Sequence, residues 1–192
     1  PYLVDGSLAA LAAEIVAGRP VLVLQNLAFA HLPRWHYAVV IGVDAQRVTL
    51  RSGASPNLRM SHRAFLRSWD GGGRWGFVAL RPGEWPARPE LRRWLEALSD
   101  LEQLDQAGLA AAGYEAAARR WPSQHLPWFA LGNARYRTGD RGGAREGKHR
   151  LDGLPAPGFE MNPLRGRTRR HGAHVEDLAD LRGRQGREAG QG

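Results

Sequence analysis

The sequence predicts an α+β fold, an antiparallel sheet with helices, followed by an α-helical repeat segment and a disordered tail. Three observations lead there. Between residues 20 and 80, short apolar, β-branched runs alternate with turn formers, the pattern of half-buried strands. After the Pro-rich stretch "RPGEWPARP" the texture becomes helical and rich in Ala and Leu. From about residue 141 it turns to Gly and Arg with no periodicity and few apolar residues.

The elements follow in order. "GSLAALAAEIVAGRP" reads as a helix with Ser7 as N-cap, a stripe of Leu8, Leu11, Ile15 and Val16, and a stop at Gly18 and Pro20. "PVLVLQN" is a buried strand, "LAFAHLPR" a loop, and "WHYAVVIGVD" a strand that turns at "AQ" into the strand "RVTLRS". "GASPNLRM" reads as a loop, "SHRAFLRSW" as a short helix capped by Ser61, and "RWGFVAL" as a last strand.

The helical part carries an internal repeat. Trp94 and Trp128 are 34 residues apart, as are Ala110 and Ala144. Ala110, Tyr114, Ala117 and Pro122 fall at the offsets of the second helix of a tetratricopeptide repeat, and Trp128, Leu131, Gly132 and Gly139 at those of the first. In the second unit Lys148 and Leu151 replace the expected aromatic and alanine. The expected boundaries are 1–84 for the sheet domain, 85–90 for a linker, 91–145 for about one and a half repeats, and 146–192 for a disordered basic tail. A genuine tail and a shifted reading frame compete to explain the break near residue 141, and the abandoned helix favours the shift.

Bulk composition limits the chemistry. The 192 residues are 43% apolar, enough for an ordinary core, and contain no cysteine: no disulfide, thiolate metal site or thiol nucleophile lies within them. The net charge of +8 comes almost wholly from arginine, Lys148 being the only lysine. A positive balance by itself points to an acidic partner, but with no base-reading or stacking motif beside it nucleic-acid binding is not expected. The longest apolar run is too short to span a membrane, and no signal peptide is visible. The start at Pro1, close to ordered-looking sequence, reads as a processed or truncated product.

His36, at the mouth of an apolar strand, is the candidate catalytic residue. On its own it reads as a half-buried, hydrogen-bonded ring. Its context changes that: residues 8–80, through "GRPVLVLQN", "RWHYAVVIGVD", "VTLRSG", the Ser-x-x-x-Phe of "SHRAF" and "RWGFVALRPGEWP", resemble the histidine-bearing half of the bacteriocin-processing (double-glycine-leader) cysteine peptidases. More narrowly, they resemble bacterial peptidase-like proteins with C-terminal tetratricopeptide repeats. The resemblance implies the second half of a papain-like domain, with His36 as general base and the third, orienting position at Ser52, where the family more often carries Asp or Asn. Ser52 accepts a hydrogen bond but brings no charge. The resemblance places the nucleophilic Cys, and the Gln that precedes it, upstream of Pro1, so Gln25 and Asn26 do not inherit that Gln's role. It also implies a peptide or protein substrate and an exported or envelope-associated bacterial parent, with no cofactor.

The expected function is therefore that of a fragment of a cysteine peptidase, inactive as it stands. The missing half would pack on the apolar faces of "PVLVL" and "YAVVIGV". The alternative is a non-catalytic peptide-binding module that uses the degenerate pocket and the repeat groove, and a third reading is salt-sensitive polyanion binding by the arginine-rich tail. Other motifs are weaker. His31, His36 and His62 lack an acidic companion for a metal, and His171 with His174 sits in the tail. Ser52 and Ser55 lack a nucleophile elbow, and "DGGG" lacks the Lys and Ser/Thr of a phosphate loop.

Overall fold

The computed structural model describes residues 1–28 and 31–154. Its first part is an antiparallel sheet of six strands: β1 (Tyr2–Leu3), β2 (Val21–Asn26), β3 (Trp35–Val43), β4 (Arg47–Ser52), β5 (Ser55–Ser61) and β6 (Gly76–Val78). The spatial order is β1-β6-β2-β3-β4-β5. Helix α1 (Leu8–Val16) joins β1 to β2, and α2 (His62–Gly71) joins β5 to β6.

Strand pairing sorts the side chains into two faces. Val21 pairs with Val40, Val23 with Ala38 and Gln25 with His36; Val40 in turn pairs with Leu50. These residues share one face, because directly opposed residues of an antiparallel pair point the same way. That face is the core: Val21, Val23, Val40, Val48, Leu50 and Val78 are fully buried together with Leu11, Phe65 and Trp69 from the helices. The other face holds Leu3, Leu22, Leu24, Tyr37, Val39 and Phe77.

Both expected helix caps form. Ser7 Oγ accepts from the N–H of Ala10 and Ser61 Oγ from that of Ala64. Four details depart from the sequence reading. The loop "GASPNLRM" is mostly strand β5, an edge strand joined to β4 by a two-residue turn with Gly53 at φ +54°. A positive φ at the first turn position suits the twist of a hairpin, and glycine adopts it freely. Strand β1 is too short to leave a periodic signal. Val16, expected in the apolar stripe of α1, is 88% exposed, and Glu14 is buried on that helix beside Ala10 and Leu11. Its carboxylate accepts from Arg19 Nε at 2.6 Å and from the Ala87 N–H at 2.7 Å, which explains how a charge sits there.

The fourth departure is in the helical part, which runs through α3 (Leu91–Gln103), α4 (Ala107–Arg120), α5 (His125–Arg137) and α6 (Arg141–Asp152). Helix starts recur 34 residues apart, 91 to 125 and 107 to 141. Helix α6 passes beyond the expected end of the repeat region at residue 145. Asp140 caps it by accepting from the Gly143 N–H at 2.8 Å. A Cβ on Gly147 would stand 3.2 Å from Gly132 Cα, so α6 and α5 approach backbone to backbone without large side chains. Arg135 then ties the end together, 3.3 Å from Glu115 and 3.7 Å from Glu146. Lys148, where the first unit buries Tyr114, stays exposed and pairs with Asp152. The rest of the expected tail, with His171 and His174, lies outside the described residues.

Aromatic packing joins the two parts. Trp85 of the Pro-rich stretch stacks on Trp94 at 4.2 Å between centroids and meets Trp121 edge-on, while Arg120 lies 5.0 Å from the centre of its ring. Tyr2 of β1 lies 6.3 Å from Trp94. Its hydroxyl donates to the Arg88 carbonyl and accepts from the Glu90 N–H, and its pKa is raised, first by burial.

Candidate functional site

The two residues singled out by sequence meet. His36 Nε2 stands 2.7 Å from Ser52 Oγ, a hydrogen bond between the start of β3 and the end of β4. Both side chains are half-buried, at the rim of the core face. Their meeting follows from register. Val39 opposes Arg51, which brings Ser52 level with the segment just after His36, and both side chains project from one face. The register shift between Leu50 and Ser52 on the β5 side lets the chain turn immediately beyond Ser52.

The neighbours of the pair are structural supports. Gln25, the register partner of His36, is 1% exposed and donates from Nε2 to Ser68 Oγ on α2 at 2.7 Å. Ser68 donates in turn to the Phe65 carbonyl. This bond fixes α2 against the end of β2 that carries His36 on the next strand. Asn26 Oδ1 accepts from the N–H groups of Ala28 and Arg34, closing the loop in front of His36. Gln25 and Asn26 thus serve scaffold bonds. A sequence signal for the Gln25–Ser68 pair existed only as two polar residues in apolar surroundings.

With Nε2 engaged by Ser52, no described residue bonds Nδ1 of His36. If Nε2 carries the ring proton and donates it to Ser52 Oγ, Nδ1 presents a lone pair. That is the geometry of a general base held by a neutral orienter. Among the described residues no cluster of three His, Asp or Glu side chains gathers around a point. His62 lies elsewhere, its Nε2 on the Asp44 carbonyl. No described helix is long and apolar enough to cross a membrane.

No protein-family model matches the chain, and no curated protein matches it. Among solved structures, a protein from Bacillus anthracis described as a C39-like peptidase aligns with 18% identity and a TM-score of 0.37 over 42% of this chain. The alignment spans half of that protein's length. At that TM-score the likeness does not establish a shared fold.

Proposed function

We propose that this chain supplies the general-base side of a papain-type cysteine peptidase site, with the thiol brought to it from outside these 192 residues. The observation that carries the reading is the His36–Ser52 hydrogen bond, with no described residue bonded to the other ring nitrogen. In the proposed cycle Nδ1 takes the proton of the incoming thiol, and the thiolate attacks the scissile carbonyl carbon. The tetrahedral intermediate collapses as Nδ1–H protonates the leaving amine, and water then hydrolyses the acyl-thioester by the same base. Ser52 holds the ring and its tautomer throughout. It offers no charge to the imidazolium, so this site works with less electrostatic support than one with a carboxylate.

The test extends the chain with the coding sequence upstream and measures hydrolysis of a mixed peptide substrate. The reading predicts a cysteine in the added segment and a fall of at least about 10³-fold in His36→Ala, as for loss of a triad member. Absence of a cysteine there, or activity indifferent to His36, overturns it.

A second reading, peptide binding through tetratricopeptide repeats, draws support from the 34-residue recurrence of helix starts and from α5. Leu126, Phe129, Asn133 and Tyr136 form an exposed stripe at helical spacing on that helix. Loss of peptide binding in Phe129→Ala with Tyr136→Ala, leaving hydrolysis of short substrates intact, would assign the stripe to recruitment.

A further inference from the structure

The sheet face opposite His36 is divided in two. On β6, β2 and β3 it carries Phe77, Leu22, Leu24, Tyr37 and Val39, which oppose one another in register. Trp75 extends this block, 6.0 Å from Tyr37 and 5.4 Å from Phe77 between centroids. None of these side chains is fully buried, and Tyr37 is 51% exposed, whereas their counterparts on the core face are shut off from solvent. On β4 and β5 the same face carries Arg47, Arg51 and Arg59: Arg51 opposes Val39, and Thr49, between Arg47 and Arg51, opposes Arg59. Asp44 pairs with Arg59 at 3.1 Å, while among the described residues no carboxylate pairs with Arg47 or Arg51.

We propose that this face docks an amphipathic helix of a partner protein, its apolar stripe on the β6–β2–β3 block and a row of carboxylates against Arg51 and Arg47. Three strands about 4.8 Å apart make a strip roughly 10 Å wide, the diameter of one helix. Arg51 borders that strip directly. Arg47 lies four residues along the strand, about 13 Å, close to the roughly 10.5–12 Å between positions seven or eight apart on a helix. Charge complementarity selects the occupant. A second copy of this chain would bring the same arginines and, among the described residues, no spare carboxylate on this face, whereas an acidic helix satisfies both halves of it. His36 projects from the opposite face; this block lies on the same strands on which a missing upstream half is expected to pack, so an upstream segment of this chain seated on it in the extended protein would overturn the proposal.

The experiment uses the full chain and two synthetic 18-residue helical peptides with the same leucine stripe, bordered by glutamates in one and lysines in the other. Isothermal titration at low and moderate salt reads binding, sedimentation reads self-association, and flotation reads binding to phosphatidylserine–phosphatidylcholine vesicles. The proposal predicts that the glutamate peptide binds at least tenfold more tightly than the lysine peptide. It further predicts at least tenfold loss in Arg47→Glu with Arg51→Glu and in Tyr37→Asp, each with an unchanged circular dichroism spectrum. Equal binding of the two peptides, binding of neither, self-association through this face, or a preference for the vesicles overturns it.

Discussion

Ser68→Ala tests the scaffold beneath the site. The hydroxyl of Ser68 accepts from Gln25 Nε2 and donates to the Phe65 carbonyl, with both residues in the interior. Removing it strands a buried amide N–H, at a cost of about 1–3 kcal/mol. The Phe65 carbonyl loses little, since it still belongs to the helix. Gln25→Met removes the donor and fills a similar volume with an unbranched apolar chain, and Ser68 keeps its bond to Phe65. That single change should cost under about 1 kcal/mol. The double variant should then resemble Gln25→Met alone, because no buried donor is left unpaired, giving a coupling as large as the Ser68→Ala cost itself, about 1–3 kcal/mol. Urea unfolding midpoints at constant slope read all three, and a chain of this size should lose about 2–4 °C in Tm per kcal/mol. Unchanged stability in Ser68→Ala, or strictly additive losses, would refute the account of this bond.

Further outcomes follow from single contacts. Gly113→Ala should destabilise, since the new Cβ would lie 2.3 Å from Leu98 Cδ2 in the buried α3–α4 contact, and overpacking of this kind costs about 1–3 kcal/mol. Gly108→Ala on the same helix meets nothing within 4 Å and should stabilise by up to about 1 kcal/mol, so paired thermal melts of the two should move in opposite directions. Asp44 has its pKa lowered chiefly by accepting from the Gln46 N–H and then the Arg47 N–H in the β3–β4 turn. Its folded value therefore lies below the unfolded one near 3.9. The stability it contributes is present above that pH and is lost as the pH falls through the folded value. Wild type and Asp44→Ala should differ in Tm near neutrality and converge in strong acid.

The sheet was legible where periodicity and punctuation agreed. β2, β3 and β4 and both capped helices stand where the apolar runs and the serines placed them. The His36–Ser52 contact was legible too, although the expectation of Ser52 as an orienter came from resemblance rather than spacing. β5 was hidden because Pro56, Asn57 and two serines mark turns, and an edge strand pairing on one side can carry them. α6 was hidden because glycine is a poor helix former alone, while Gly147 and Gly132 earn their place by letting two helices close up. No local pattern marks Glu14 as buried; the linker folds back over it and offers the Ala87 N–H. That last contact joins residues 73 apart in the chain, and no local pattern encodes it.

The most direct measurement of the central claim is the tautomer of His36, read by long-range ¹H–¹⁵N correlation spectra of the neutral ring. The account predicts the proton on Nε2, donated to Ser52 Oγ, with Nδ1 unprotonated, and a mixture of tautomers in Ser52→Ala. A proton held on Nδ1 in the wild type, unaffected by Ser52→Ala, would leave no lone pair on Nδ1 to receive a thiol proton and would contradict the role assigned to this nitrogen.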